Sequence, residues 1–315
     1  MTPHQARAAD DQTRAADDRD LPLDAHLHTD LSPDADVPID VYAAMAIERG
    51  IDEIAITDHV DFDPGAPAYA YVPFETRERV VREAAERWAD RVAIRFGVEL
   101  TYQRRHEEAI RDHLRRYRYD FTIGSVHIGP DSPYRAETVA AWLEGRPFAE
   151  AVEPYFREVE AAARSGLFDV LGHIDFVKRY TAQHRTAADY AAAPELYEPV
   201  LRALVETGTG LEVNTSGLRQ AAGETYPSAA IVAWFRELGG RTITAGSDAH
   251  RAESFAFGLA EGYRIVAGGG FGELTVRRAD RRHAVSVPDR FLAQGRSPAL
   301  SRPIRPATMP DLPGA

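Results

Sequence analysis

The residues that could carry chemistry begin with two histidines, His26 and His28, in the run Leu23-Asp-Ala-His-Leu-His-Thr29. In a β-strand alternate side chains point to the same face, so the two imidazoles project together. Two imidazoles side by side at the end of a strand can hold one borderline metal ion. An isolated His-x-His pair is typical of ordinary core or surface histidines. The repetition of the pattern further along the chain is what indicates a site.

Further imidazoles and carboxylates stand where later strand-like runs end. The candidate ligands at these positions are His26, His28, His59, Glu99, His127, His173, Asp248 and His250. They include six of the 11 histidines, while the other five lie in helices, loops or tails. Because the C-terminal ends of parallel strands share one edge of a sheet, and active sites of such folds assemble there, we expect these side chains to meet.

The number and type of these ligands indicate more than one ion. The chain has no cysteine, so a metal must be held by histidine, aspartate and glutamate. These eight nitrogen or oxygen ligands exceed the roughly four that one zinc ion takes. We therefore expect two or three divalent ions that share ligands. Such ions lower the pKa of bound water toward ~7, which provides a hydroxide nucleophile, and they bind phosphate oxygens.

Bulk composition excludes several other classes of protein. With 49 acidic against 37 basic residues the net charge is -12, which argues against nucleic acid as the main partner. No apolar run approaches the roughly 20 residues that span a bilayer, and the N-terminus lacks the apolar core of a secretory signal. We expect a cytoplasmic protein with a small phosphorylated substrate and no membrane partner. The oligomeric state stays open.

Seven strand-then-helix units follow one another along the chain. One strand is predicted to run to His28, and the others cover residues 51–57, 92–96, 120–126, 168–172, 210–214 and 241–246. Helices are predicted over residues 39–49, 73–90, 104–117, 195–206 and 228–238, with others before Arg164 and a last one to about Val266. This succession favours a parallel sheet with helices outside, closed at this length into a (β/α) barrel.

Composition also predicts where the barrel domain begins and ends. Residues 1–19 are polar and without periodicity, and we expect them to be disordered. The barrel domain is predicted over residues 20–287, including a short appendage from residue 268. Residues 288–315 are rich in proline, arginine and serine, which is typical of a flexible tail.

The order of the motifs resembles the polymerase-and-histidinol-phosphatase (PHP) superfamily, and within it the stand-alone histidinol-phosphate phosphatases. The matching motifs are His26-Leu-His28 with Asp34, Ile56-Thr-Asp-His59, Gly97-Val-Glu99, Gly124-Ser-Val-His127, Leu171-Gly-His173-Ile-Asp175 and Gly246-Ser-Asp-Ala-His250. The resemblance covers about residues 21–266. It implies a distorted (β/α)7 TIM-like barrel with a trinuclear site.

The resemblance also distributes the ligands among three ions, for which zinc, manganese and iron are all suited. The first ion would be held by His26, His28, Glu99 and Asp248, and the second by Glu99 as a bridge with His127 and His173. The third would use Asp34, His59 and His250. Some family members have a histidine where this chain has Asp34. We expect Glu99, His59, Asp248 and His250 to be catalytic as well as metal-binding.

The substrate phosphate should need cationic side chains in addition to the metals, and arginine suits bidentate capture. The candidates are Arg219, after Asn214-Thr-Ser-Gly-Leu, and Lys178 or Arg179, after Asp175. Lys178 is the only lysine in the chain. Each of these side chains could instead be an ordinary solvated cation.

The resemblance implies a phosphoric monoester hydrolase that converts L-histidinol phosphate to L-histidinol and phosphate, as in histidine biosynthesis, by attack of a metal hydroxide on phosphorus. The first alternative is a PHP-family phosphoesterase for nucleotides or other small phosphates. A second is an amidohydrolase that cleaves C–N bonds. Many amidohydrolases bridge two metals with a carbamylated lysine placed before the later histidines, whereas Lys178 follows His173. A third is a metal-stabilised scaffold without activity, which eight ligands on one rim argue against.

Overall fold

Parallel strands form a curved sheet whose two edges meet, and helices cover its outer face. The computed structural model describes residues 17–129, 131–278 and 281–293. The strands are β1 Leu23–Leu27, β2 Glu53–Ile56, β3 His59–Val60, β4 Ala93–Thr101, β5 Phe121–Ser125, β6 Val170–Leu171, β7 Gly210–Asn214, β8 Ile243–Gly246, β9 Glu273–Arg278 and β10 Arg281–Ser286.

Most helices lie between successive barrel strands. The α-helices are α1 Ile39–Arg49, α2 Phe74–Trp88, α3 Glu107–Arg116, α4 Val139–Leu143, α5 Phe148–Ser165, α6 Lys178–Thr181, α7 Ala187–Ala191, α8 Pro194–Thr207, α9 Ala229–Glu237, α10 Leu259–Gly268 and α11 Asp289–Leu292. Short 3-10 helices cover Arg104–His106, Thr215–Arg219 and Ala252–Ser254. The predicted long helices are confirmed to within a few residues, while α6 and α7 were not predicted.

The strand order closes the sheet into a barrel. Along it the order is β1-β2-β4-β5-β6-β7-β8, and every neighbouring pair is parallel. β3 continues from β2 and pairs with β4, with His59 opposite Glu99. At the seam, Leu27 bridges Ala249, and the Asp248 N–H donates to the His26 carbonyl at 2.8 Å. The predicted distorted seven-stranded (β/α) barrel is confirmed.

Burial explains why these segments become strands and helices. Every residue of β1, β2, β5, β7 and β8 is buried, as expected for parallel strands that are covered on both faces. In α1, Ile39, Tyr42, Ala43 and Ala46 are buried at helical spacing, so one stripe of that helix faces the sheet. Gly50, with φ of 69°, ends α1 in the left-handed conformation.

The hairpin of β9 and β10 lies at the N-terminal end of the barrel strands. Arg278 pairs with Glu53 at the start of β2, and the Arg277 Nε lies 2.9 Å from Asp169 Oδ2, just before β6. Leu274 and Val276 of β9 are buried. The appendage predicted after residue 268 is therefore a hairpin that covers this end of the barrel.

Described residues on both sides of the predicted barrel domain, residues 20–287, pack against it. Asp18 is 1% exposed, and its carboxylate accepts the N–H groups of Gly258 and Ala260, both at 2.7 Å, at the start of α10. Beyond residue 288, α11 buries Phe291 against Tyr263, with ring centroids 5.7 Å apart. Neither contact is local in sequence. The remaining residues of the two predicted tails, 1–16 and 294–315, lie outside the described residues.

None of the helices in the described ranges combines the length and the apolar character that crossing a membrane requires.

Candidate metal centre

The side chains predicted as metal ligands come together at the C-terminal end of the barrel strands. They are His26, His28, Asp34, His59, Glu99, His127, His173, Asp248 and His250. β1 and β4 carry ligands within the strand, whereas the ligands after β5, β6 and β8 stand in the first residues beyond it. The parallel arrangement of the strands therefore brings distant parts of the chain to the C-terminal rim of the barrel, the end at which its strands finish.

Glu99 occupies the centre of this arrangement. Its carboxylate is 1% exposed and lies within 3.3 Å of nitrogen atoms from five histidines. Oε2 faces His26, His28 and His59, and Oε1 faces His127 and His173. The shortest of these distances is 2.8 Å, to His173 Nε2. A carboxylate with different imidazoles on its two oxygens has the arrangement that a bridging ligand needs.

A second group of ligand atoms surrounds the carboxylate of Asp248. The Nε2 atoms of His26 and His28 lie 2.9 Å apart. Asp248 Oδ1 is 3.8 Å from His26 Nε2 and 3.4 Å from His28 Nε2. The three side chains offer donor atoms that all lie within 4.8 Å of one another, as one ion would require.

A third group lies on the solvent side. Asp34 Oδ2 is 3.4 Å from His59 Nε2 and 3.3 Å from His250 Nε2. The His28 ring stacks between these two imidazoles, with centroids 4.2 Å from His59 and 4.1 Å from His250. The Asp34 side chain is 51% exposed and that of His250 27%. The rim is therefore open on this side and closed around Glu99.

The groups of neighbouring donor atoms overlap, because some residues belong to more than one group. Donor atoms of His28, His59 and His250 cluster in one group, and those of His59, Glu99 and His127 in another. His59 thus stands between the positions that the resemblance gives to the second and third ions. Shared ligands are what a multinuclear centre needs, since its ions must lie close together.

The electrostatics keep the central carboxylates anionic. Burial would raise the pKa of Glu99, but the surrounding imidazoles of His59, His26 and His127 lower that pKa well below its usual range. Burial would also raise the pKa of Asp248, but His26 opposes this effect, and the pKa is well below its usual value. For His28, burial lowers the pKa, which keeps this imidazole neutral and able to ligate.

The donor set fits divalent cations. Glu99 Oε2 is buried without a hydrogen-bond partner, although three imidazole nitrogens surround it. Within the described part of the chain, no arginine or lysine pairs with Glu99, Asp248 or Asp34. Imidazole and carboxylate ligands without thiolate suit zinc, manganese and iron.

Local backbone features bring the strand ends close together. A Cβ on Gly246 would lie 2.4 Å from the His26 Cβ, so only glycine lets β8 approach β1 here. His173 and Asp248 have φ values of 26° and 53°. Non-glycine residues reach this region at a cost of order 1–3 kcal/mol, and such strain clusters at functional sites.

Sequence reasoning missed Glu212. This residue of β7 is fully buried, and its Oε1 lies 2.6 Å from His26 Nδ1. Its neighbour Asn214 donates from Nδ2 to Asp248 Oδ2 at 3.2 Å. A glutamate between Leu211 and Val213, in a short run that reads as a buried strand, was the signal available in the sequence.

Lys178 is buried and already paired with two carboxylates. It is 3% exposed, and its Nζ lies 2.7 Å from both Asp175 Oδ2 and Glu224 Oε1, beside the Tyr190 ring. Burial would lower the pKa of the ammonium, but the two carboxylates raise it, so the charge is kept and neutralised inside the protein. These contacts give Lys178 a structural role, and its binding of substrate stays a prediction.

The two predicted arginines lie at the rim. Arg219 donates from Nη1 and Nη2 to the carbonyls of Ser247 and Asp248, at 2.8 and 2.6 Å. Arg179 is exposed, and its guanidinium lies 5.5 Å from the centroid of Phe176. Phe176 in turn lies 4.7 Å from the His173 ring. Among the described residues Arg179 forms no ion pair, so it can accept an anion.

The described histidines outside the centre have other surroundings. His113 bonds the hydroxyl of Tyr119 at 2.9 Å and lies edge-on to Phe62 and Tyr117. His113 is one of the five histidines expected in helices, loops or tails, and the structure places it in an aromatic cluster. His106, His184 and His283 lie in the 3-10 helix before α3, in the turn after α6 and in β10. His4 lies outside the described residues.

Comparison with known proteins identifies relatives over most of the chain. The model of the PHP domain family matches residues 24–216. The probable histidinol-phosphatase of Deinococcus radiodurans is 30% identical over 261 residues, which cover 81% of this chain and 96% of that protein. The histidinol-phosphatase of Lactococcus lactis is 29% identical and covers 80% of this chain and 93% of its own length.

The fold has a matching solved structure. The crystal structure of histidinol phosphate phosphatase from Lactococcus lactis, complexed with zinc, L-histidinol and phosphate, superposes with a TM-score of 0.73 at 25% identity. The match covers 83% of this chain and 98% of that one. The likeness therefore extends over nearly the whole of that protein.

Proposed function

Because the chain belongs to the PHP domain family, we propose that it is a metal-dependent phosphomonoesterase that hydrolyses L-histidinol phosphate to L-histidinol and phosphate. The solved relative binds zinc together with both products of this reaction. The probable histidinol-phosphatase of Deinococcus radiodurans and the histidinol-phosphatase of Lactococcus lactis match 81% and 80% of this chain. Fold, relatives and donor set all support the same reaction class.

The observation that carries the proposal is the environment of Glu99. Five imidazoles surround one buried carboxylate, with no arginine or lysine to neutralise it among the described residues. Burying a charge is costly unless it is paired or coordinates a metal. The site is therefore suited to bound cations.

In this proposal two or three ions of zinc, manganese or iron are held at the rim. Their ligands would be His26, His28, Asp34, His59, Glu99, His127, His173, Asp248 and His250. When bound, such ions supply positive charge for phosphate oxygens and lower the pKa of water. The histidines and carboxylates hold this charge in a fixed arrangement, with Glu99, His59, Asp248 and His250 as the proposed catalytic residues.

Exposure indicates the side from which the substrate approaches. The side chains of His26, His28 and Glu99 are at most 1% exposed, whereas those of His250 and His127 are 27% and 24% exposed. A phosphate entering from this open side would meet Arg179 and Arg219. A guanidinium can bind two phosphate oxygens at once, so both arginines are proposed to bind substrate.

Two finer predictions belong to the same proposal. The partner is a small phosphorylated molecule rather than nucleic acid, since acidic residues outnumber basic ones by 49 to 37. The single catalytic domain covers residues 20–287, and the predicted location is the cytoplasm.

The test is metal analysis of the purified protein together with phosphate release from a substrate panel. We expect bound divalent metal, and a kcat/KM for L-histidinol phosphate that exceeds those for nucleoside monophosphates. Equal or faster turnover of the nucleotides would favour the alternative phosphoesterase. Release of no phosphate from any substrate would reject the activity.

A pair of histidine variants tests whether the activity belongs to this site. His28→Ala removes a ligand that is fully buried at the centre, so turnover should fall by orders of magnitude. His106→Ala lies in the 3-10 helix before α3 and should leave turnover unchanged. Similar losses in both variants would show that the site has been assigned wrongly.

A further inference from the structure

One strand of the barrel contributes none of the predicted ligands. At least one predicted ligand lies in, or directly after, each of the other strand positions: β1, β2 with β3, β4, β5, β6 and β8. β7, Gly210–Asn214, lies between β6 and β8 and presents Glu212 instead. Glu212 is 0% exposed. A fully buried carboxylate in a ligand-free strand needs a reason to be there.

Three hydrogen-bond donors converge on the two oxygens of Glu212. His26 Nδ1 lies 2.6 Å from Oε1. The backbone N–H of His173 donates to Oε2 at 3.0 Å, and Asn214 Nδ2 donates to the same oxygen at 3.1 Å. An ionised carboxylate accepts on both oxygens and donates on neither, so it satisfies all three donors.

The contact with His26 determines which ring nitrogen carries the proton. Because the carboxylate can only accept, Nδ1 of His26 is the donor, and the lone pair of a neutral ring is then on Nε2. Nε2 is the atom that faces Glu99 Oε2 at 3.3 Å and His28 Nε2 at 2.9 Å. Glu212 thus turns the free lone pair of His26 toward the rim.

The same carboxylate reaches ligands from two more strands. Asn214 Nδ2 bonds Glu212 and also donates to Asp248 Oδ2 at 3.2 Å, which links β7 to the ligand after β8. The N–H that His173 donates to Glu212 belongs to a residue with φ of 26°. A bond at this strained backbone helps to hold the His173 imidazole toward Glu99.

We propose that Glu212 is a positioning residue of the metal centre, which sets the tautomer of His26 and, directly or through Asn214, the placement of His173 and Asp248. The inference rests on the proposed metal-dependent function. It assigns Glu212 no contact with substrate or metal. Substitution of a carboxylate that hydrogen-bonds a metal-binding histidine typically weakens metal binding by about 10- to 100-fold.

Glutamine has the same shape as glutamate but cannot satisfy the same contacts. If the amide NH₂ faced His26 Nδ1, it would either oppose the N–H there or favour the other His26 tautomer. If it faced the donors from His173 and Asn214, donors would oppose one another. Glu212→Gln therefore changes the hydrogen bonding with almost no change in volume.

The matched control is Glu53→Gln at the other end of the barrel. Glu53 is 3% exposed and also lies in a barrel strand, but its partners are Arg95 and Arg278. Zinc affinity of the full-length protein, stripped of metal, is measured by competition with a chromophoric chelator. The Tm of each metal-free variant is measured in parallel.

We expect Glu212→Gln to weaken zinc binding by about 10- to 100-fold, with a metal-free Tm that falls no further than that of Glu53→Gln. Glu53→Gln should bind zinc like the wild type. Wild-type zinc affinity in Glu212→Gln would overturn the inference, and so would equal losses of zinc affinity in both variants.

Two further measurements separate the possible causes of a failure. If Glu212→Gln does not fold, Asn214→Ala leaves Glu212 in place and removes its link to Asp248, together with the Asn214 contacts to Ser216. A several-fold weaker zinc affinity would then support the inference, and unchanged affinity would overturn it. Phosphate release by the wild type tests the proposed function independently, because the role of Glu212 is judged on zinc affinity alone.

Discussion

The two ends of the barrel surround their buried acidic side chains with different partners. At the N-terminal end, Arg95 Nε lies 2.7 Å from Glu53 Oε1, and Arg278 also pairs with this carboxylate. Asp169 there pairs with Arg277. At the C-terminal end, Glu99 and Asp248 face imidazoles instead. The protein thus provides the countercharge at one end and leaves it to bound cations at the other.

This difference explains why similar residue types give stability in one place and a site in the other. An arginine is always positively charged and has no lone pair to offer a metal, so it neutralises the acid that it pairs with. A neutral imidazole has a lone pair to offer, so an acid among imidazoles is part of a ligand set. The comparison predicts that substitutions at the two ends will change different measurable quantities.

The largest effect should come from removal of metal. Dialysis against a chelator should abolish phosphate release, while the ion pairs at the N-terminal end keep the barrel folded. Activity should return when zinc or manganese is added. Phosphate release and far-UV circular dichroism, measured before and after each step, check this. Loss of helical signal together with activity would show that the ions hold the whole barrel together.

The next largest effect should come from Glu99→Gln. The amide lacks the negative charge of the carboxylate that faces five imidazoles. We expect kcat to fall at least ~100-fold, because ~100-fold is the upper range for residues that only support a metal ligand. Steady-state kinetics with L-histidinol phosphate measure it.

Glu53→Gln serves as the opposite case for the same comparison. It leaves two arginines without their acid and should lower the free energy of unfolding by about 1–3 kcal/mol, with kcat unchanged. A variant at either end that altered both quantities equally would remove the distinction between the two ends.

A smaller effect is expected from the arginines. Arg179→Gln removes an exposed cation beside Phe176 at the rim, and KM should rise about 10- to 100-fold, since a hydrogen bond to a charged group contributes about 1.5–3 kcal/mol. Arg278→Gln should leave KM unchanged and lower Tm, because Arg278 pairs with Glu53. An unchanged KM in Arg179→Gln would remove this residue from the proposed substrate site.

The smallest effect on activity is expected at His113, which is neither a predicted metal ligand nor a proposed substrate residue. Burial lowers the pKa of His113 to about 4, from 6.5 for an ordinary histidine. As the pH falls from about 6.5 to about 4, the unfolded chain takes up a proton here and the folded protein does not, so folding stability decreases.

His113→Gln should therefore make the free energy of unfolding less dependent on pH between about 4 and 6.5. Activity at neutral pH should match the wild type. Urea unfolding at several pH values measures the slope. A slope as steep as in the wild type would show that other groups account for it.

The fold was largely predictable because its signals are local. Buried strands of parallel sheets are short apolar runs, and the helices between them carry apolar residues at helical spacing. Gly210–Asn214 forms a strand with the bounds expected from the sequence, and Ile39–Arg49 forms the expected helix. Asp18 was not predictable in the same way, because the helix start it caps lies some 240 residues away.

The chain's own order of residues determined which chemistry is available: six histidines at the ends of strands, acids beside them and no cysteine. That much follows from alternation along a strand and from the shared edge of parallel strands. Only the tertiary structure decided which partner each charged group meets. It paired Lys178 with Asp175 and Glu224, and it placed Glu212 behind His26. The reason is physical: the direction of a side chain across a barrel depends on the register and rotation of several strands, which no single segment encodes.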